Sequence, residues 1–269
     1  MRFFVGPCVI EGRSHAIETG LHLAAIAGRL DVPLYYKSSF DKANRSSAGS
    51  PRGPGLAEGL DILAAVKEST GLPIITDVHE CWQVDPVAQV ADVIQIPAFL
   101  CRQTDLVSTA AATGKPLLIK KGQFMSADEM AHVAAKARDA APDHASLPEN
   151  VMLCERGTTF GYNDLVVDMR SLARMRQFGH PVIFDASHAV QRPGLAGGAS
   201  GGNRDLIPVL ARAAAAAGID GMFIETHPRP DQALSDSATV WPLDRLESLL
   251  REVMAISQLV RGMASAADG

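Results

Sequence analysis

Short apolar runs rich in β-branched and aromatic residues recur along the chain, separated by longer stretches whose apolar positions repeat every three or four residues. The first pattern suits strands buried on both faces and the second suits amphipathic helices, so the alternation reads as βα units. The predicted strands are Phe3–Cys8, Leu34–Ser39, Pro73–Val78, Val93–Ala98, Pro116–Lys121, Val151–Arg156, Pro181–Ala186 and Gly221–Thr226. Helical spacing is plainest at Leu60, Leu63, Ala64 and Val66, and at Leu246, Leu249, Leu250 and Val253. Ser126 followed by Glu129 predicts a capping box. Gly71, Gly114, Gly179 and Gly218 each stand just before a strand, where a helix end needs a residue that tolerates positive φ.

Eight such units in 269 residues predict a parallel sheet closed into a (β/α)8 TIM barrel, one domain spanning residues 1–269. An open Rossmann-like sheet is the competing arrangement, but no strand is followed by its G-x-G-x-x-G turn. The Gly/Ser-rich stretch Gly194–Gly202 falls just after the seventh strand, where a barrel carries an active-site loop rather than a domain boundary.

Composition narrows the function. A hydrophobic content of 47% supplies a sizeable core, and a formal charge of −5 argues against a general nucleic-acid binder, so any anion site must be local. No secretory leader precedes Phe3, and no apolar run reaches the length of a membrane span, so a cytoplasmic protein is expected. Cys8, Cys81, Cys101 and Cys154 have no CxxC pairing, and in a reducing compartment their default reading is buried small hydrophobes rather than a disulfide framework.

Reacting groups of a barrel collect at the C-terminal ends of its strands. Here those ends carry Cys8, then Lys37 and Lys42, Asp77 and His79, Gln95, Lys120 and Lys121, Glu155 and Arg156, Asp185 and His188, and Glu225 and His227. Lys37, Lys42, Arg45, Arg102, Lys120 and Arg156 form a cationic arc suited to phosphate and carboxylate oxygens. Cys8, His188, Glu225 and Asp236 follow the first, seventh and eighth strands, which closure makes neighbours, and their donor types suit a divalent ion such as Zn, Fe, Mn or Co. The competing account is a core cysteine, a hydrogen-bonded histidine and a turn aspartate.

These motifs resemble the 3-deoxy-D-manno-octulosonate 8-phosphate synthases, also called 2-dehydro-3-deoxyphosphooctonate aldolases. The carrying segments are Gly6-Pro7-Cys8-Val9-Ile10-Glu11, Lys37-Ser38-Ser39-Phe40-Asp41-Lys42-Ala43-Asn44-Arg45-Ser46-Ser47, Arg52-Gly53-Pro54-Gly55, Ile75-Thr76-Asp77-Val78-His79-Glu80, Gln95-Ile96-Pro97-Ala98-Phe99-Leu100, Lys120-Lys121-Gly122-Gln123-Phe124, Phe160-Gly161-Tyr162 and Phe184-Asp185-Ala186-Ser187-His188. The related heptulosonate 7-phosphate synthases usually carry a Lys-Pro-Arg-Thr-type segment where this chain has Lys42-Ala43-Asn44-Arg45.

The resemblance implies condensation of phosphoenolpyruvate with D-arabinose 5-phosphate and water, a step toward lipopolysaccharide precursors. It implies that Lys37, Lys42, Gln95, Lys120 and Arg156 bind phosphoenolpyruvate. Asn44, Arg45, Ser46 and Asp77 are expected on the sugar phosphate, with Arg102 reaching it from a neighbouring subunit of a homotetramer. Lys42, Lys120, His188, Cys8 and Asp236 are the expected catalytic set. Cysteine at position 8, and Ser235-Asp236-Ser237 where metal-independent members show Cys-Asp-Gly, imply the metal-dependent class. Three other readings share the residues: a heptulosonate 7-phosphate synthase, a metal-dependent aldolase that releases no phosphate, and a non-catalytic phosphosugar-binding barrel.

Overall fold

The computed structural model describes residues 1–43, 51–142, 147–160, 164–196 and 199–267. Eight parallel strands follow in order: β1 (Arg2–Gly6), β2 (Leu34–Lys37), β3 (Ile74–Asp77), β4 (Val93–Ile96), β5 (Leu117–Lys120), β6 (Val151–Glu155), β7 (Val182–Asp185) and β8 (Gly221–His227). Each pairs with the next, and β8 pairs with β1 from Arg2 opposite Gly221 to Gly6 opposite Glu225, which closes the barrel. The predicted strands are all present, trimmed by one or two residues at most ends.

The principal outer helices are α1 (Arg13–Leu30), α2 (Leu56–Thr70), α3 (Val84–Val90), α4 (Thr104–Ala112), α5 (Met130–Ala140), α6 (Arg170–Arg176), α7 (Ile207–Ala217) and α8 (Leu246–Ala267). In α8 the predicted stripe Leu246, Leu249, Leu250 and Val253 is buried. In α2 the inward face is Leu60, Ile62, Leu63 and Val66, whereas Ala64 is exposed, because the stripe follows the larger side chains. Gly71, Gly114, Gly179 and Gly218 all have positive φ. Ser126 and Glu129 form the capping box, with Ser126 N donating to Glu129 Oε2 at 2.8 Å.

Two apolar layers result. One lies between the sheet and the helices and holds outward-facing strand residues such as Phe3, Val5, Ile74, Ile94 and Ile119. The other plugs the barrel with Phe4, Ile75, Val93, Leu118, Met152, Cys154, Ile183 and Phe223, against which Tyr35 packs. Side chains alternate along a strand, so the residue two positions beyond a plug residue also points inward, one layer higher. Those residues are Lys37, Asp77, Gln95, Lys120, Arg156, Asp185 and Glu225. Gly6 occupies the corresponding place on β1, where a Cβ would run into the Lys37 carbonyl.

Part of the Gly/Ser-rich stretch after β7 is strand rather than loop. Gln191–Ala196 and Ala199–Gly202 pair as an antiparallel ribbon after β7.

Candidate active site

Above the apolar plug lies a cavity of about 390 Å³ whose wall draws on β2 through β8 and on the loop around Asp236. Burying so many charges demands partners, and the cations show how each demand is met.

Lys37 donates from Nζ to Glu225 Oε1 at 2.8 Å, to Ser39 Oγ at 3.1 Å and to the Cys8 carbonyl at 3.2 Å. Lys42 donates to Ser39 Oγ at 3.0 Å. Burial works against the charge of Lys42, but Cys8, Glu225, Asp77 and Asp236 outweigh it and hold the ammonium well above the ordinary lysine range. Lys120 donates to Asp185 Oδ2 at 2.6 Å and sits 3.0 Å from the centre of the Phe223 ring, a cation–π contact within the plug. Arg156 donates to Gln123 Oε1 and, at 2.6 Å, to Gln191 Oε1. Burial lowers its pKa from the ordinary arginine value.

The acids are shaped by those cations. Burial tends to raise the Asp77 carboxyl, but the hydrogen bond from His79 at 3.1 Å and the charges of Lys37 and Lys42 hold it well below the ordinary range. Glu225 is likewise depressed, burial being outweighed by Lys37, His188 and Lys42. Asp185 Oδ2 also lies 2.8 Å from His188 Nδ1, so Nδ1 donates to that carboxylate and Nε2 is the nitrogen turned toward Glu225.

One ligand atom each from Cys8, Glu225 and Asp236 lies within 4.8 Å of the other two. Cys8 Sγ is 3.0 Å from Asp236 Oδ2; His188, the fourth expected ligand, stands outside that close group, its Nε2 3.7 Å from Glu225 Oε2. Glu225 Oε2 is buried without a hydrogen-bond partner, and such an orphan acceptor beside a thiol and a second carboxylate fits a cation. Burial, with Glu225 and Asp236 nearby, drives the Cys8 thiol well above its ordinary pKa, against the opposing pull of Lys42 and Lys37. Asp236 adopts left-handed backbone with φ 52°, and its loop is tied down by Glu11, whose Oε1 accepts from Leu234 N at 2.9 Å.

The structure thus gathers Cys8, Lys37, Lys42, Asp77, Gln95, Lys120, Arg156, His188, Glu225 and Asp236 around one region. Arg102 is exposed and does not line the cavity, and Cys81 is exposed rather than buried, unlike Cys8, Cys101 and Cys154. Asn44, Arg45 and Ser46 lie outside the described residues. Gln123 and Gln191 also line the cavity, but they lie beyond the strand ends, and it is a strand-end position that marks Gln95 in the sequence. Asp185 was visible as a strand end, but its double role toward Lys120 and His188 needed the fold. Lys121 turns out to be buried and directed away, donating to the Met125 carbonyl and to Thr158 Oγ1.

Residues 1–261 match the DAHP synthetase I family, and the chain belongs to it. Among its relatives is the 2-dehydro-3-deoxyphosphooctonate aldolase of Alkalilimnicola ehrlichii, 54% identical over 98% of this chain and 93% of that protein. The proteins of that name from Acidithiobacillus ferrooxidans and Bordetella pertussis are 57% and 56% identical, each over 95% of this chain and 89% and 90% of their own lengths.

Proposed function

We propose that the chain is an enzyme that condenses phosphoenolpyruvate with D-arabinose 5-phosphate and water, giving 3-deoxy-D-manno-octulosonate 8-phosphate and inorganic phosphate for lipopolysaccharide precursors. The observation that carries this reading is one cavity lined by the cations Lys37, Lys42, Lys120 and Arg156 together with Glu225 and Asp236, whose carboxylates lie beside the Cys8 thiol. The relatives at 54–57% identity carry the name of this activity, and no observation favours the heptulosonate, aldolase or non-catalytic alternatives.

Both substrates are phosphorylated, so their approach is resisted by charge. Lys120, Arg156, Lys37 and Lys42 would grip the phosphate and carboxylate of phosphoenolpyruvate, with Gln95 donating from its amide. Asp77, with one buried oxygen still unpartnered, would accept from sugar hydroxyls. Asn44, Arg45 and Ser46, joined by Arg102 of a neighbouring subunit, would hold the sugar phosphate. Held this way, C3 of phosphoenolpyruvate forms a bond to the aldehyde carbon while water adds at C2 and phosphate leaves, an effect of positioning and preorganised charge.

Cys8, His188, Glu225 and Asp236 would hold a divalent ion. When bound, such an ion supplies Lewis acidity toward an oxygen or a water molecule. Asp185 would keep the His188 proton on Nδ1 and so keep Nε2 available. The proposal includes one barrel domain over residues 1–269, a cytoplasmic location and a homotetramer. No described helix is long and apolar enough to cross a membrane.

The test is release of phosphate in mixtures of phosphoenolpyruvate with arabinose 5-phosphate or erythrose 4-phosphate. Release that needs both substrates and prefers the five-carbon sugar is expected. Preference for the four-carbon sugar, or no release, refutes the assignment.

A further inference from the structure

Gln191 is 7% exposed and opens the ribbon that follows β7. Its side chain spans two parts of the cavity: Oε1 accepts from Arg156 Nη2 at 2.6 Å, while Nε2 donates to Asp236 Oδ1 at 3.0 Å. A guanidinium only donates and a carboxylate only accepts, so the amide has one orientation that satisfies both. Its backbone is clamped too. Gln191 N donates to the His188 carbonyl, and its Cα lies opposite Gly202, where a Cβ would meet Thr239.

We propose that Gln191 is a positioning residue that couples the guanidinium reading phosphoenolpyruvate to the carboxylate of the metal set. The inference rests on the ligand reading given above. A neutral amide aims Arg156 without cancelling its charge, so the charge remains for an anion. The other end of the same amide occupies Asp236 Oδ1 and leaves Oδ2 turned toward Cys8 Sγ. A carboxylate at position 191 would neutralise the arginine and repel Asp236. An apolar side chain would release both. Coupling of two sites is reciprocal, so phosphoenolpyruvate changes metal affinity by the factor by which metal changes phosphoenolpyruvate affinity.

The experiment uses full-length protein stripped with a chelator and titrated with Co²⁺, read by the thiolate-to-cobalt absorption and by competition with a chromophoric chelator. Titrations are run with and without phosphoenolpyruvate on wild type, Gln191→Met and Gln191→Glu. Both variants should bind cobalt roughly 10–100-fold more weakly, the usual scale for an outer partner of a ligand. The effect of phosphoenolpyruvate on cobalt affinity should vanish in both. In steady state, Gln191→Glu should raise KM for phosphoenolpyruvate more than Gln191→Met does, since only the former cancels the guanidinium charge. Thermal unfolding checks each variant, and the isosteric Gln191→Glu carries the test if Gln191→Met does not fold. Wild-type cobalt binding with both variants indistinguishable from it overturns the role of Gln191 and leaves the metal set standing. Wild type that takes up no cobalt overturns the metal set and this proposal together.

Discussion

Asp185 Oδ2 stands 2.6 Å from Lys120 Nζ, and both side chains are buried. In the proposed site the pair would join the cations assigned to phosphoenolpyruvate to the candidate metal ligands, because the same oxygen reaches His188 Nδ1. One carboxylate oxygen therefore serves a lysine and a histidine at once.

Lys120→Ala leaves that buried carboxylate without its ammonium, and breaking a buried pair costs about 3–5 kcal/mol. Arg156 is held by two neutral amides, so Arg156→Ala should cost less stability, about 1–3 kcal/mol. Both should weaken phosphoenolpyruvate use severely. Urea unfolding beside saturation kinetics separates the two effects. Equal unfolding midpoints for the two variants would contradict the pairing argument, and unchanged kinetics would remove the residue from the site.

Asp77 predicts an acid limb of stability. Its native carboxyl is held below the ordinary aspartate range, so between the native and unfolded pKa values the unfolded chain binds the extra proton. Its contribution is then fully present above the unfolded value, near pH 4, and is lost as pH falls through the native one. Asp77→Asn should flatten the pH dependence of unfolding free energy below about pH 4 while leaving its neutral-side slope alone. An unaltered acid slope would mean that His79, Lys37 and Lys42 do not stabilise this carboxylate.

Chelator-treated protein should lose turnover and regain it with Mn²⁺, Co²⁺, Fe²⁺ or Zn²⁺. Cys8→Asn removes the thiol while keeping a polar group, and should leave weak metal affinity with some chelator-resistant activity. Cys8→Ala should lose the ligand with no such residue of activity. Metal analysis of purified wild type decides the matter independently: turnover untouched by chelation, with no ion bound, makes Cys8 a packing residue.

Gly6 should refuse a side chain. A methyl group there meets the Lys37 carbonyl, so Gly6→Ala must push β1 and β2 apart, at a cost of about 1–3 kcal/mol or more. Because Lys37 moves with its backbone, KM for phosphoenolpyruvate should rise as well. A variant as stable as wild type would show that the strands yield at no cost.

Much of this protein is local information. Apolar runs bounded by glycine define the strands, since a parallel strand buried on both faces must be apolar nearly throughout, and Gly71, Gly114, Gly179 and Gly218 mark helix ends because their φ is positive. The charged strand ends were legible for the same reason: Lys37, Lys120 and Glu225 interrupt apolar runs. Closure of the sheet was not local. Cys8 and Asp236 are separated by 228 positions, and only the pairing of β1 with β8 brings sulfur and carboxylate to 3.0 Å. Which charges neutralise one another was equally hidden, because a lysine shows its charge in the sequence but not its partner. Lys120 and Lys121 are adjacent and alike on paper, yet the strand's alternation sends the first to Asp185 in the cavity and the second to the Met125 carbonyl behind the wall.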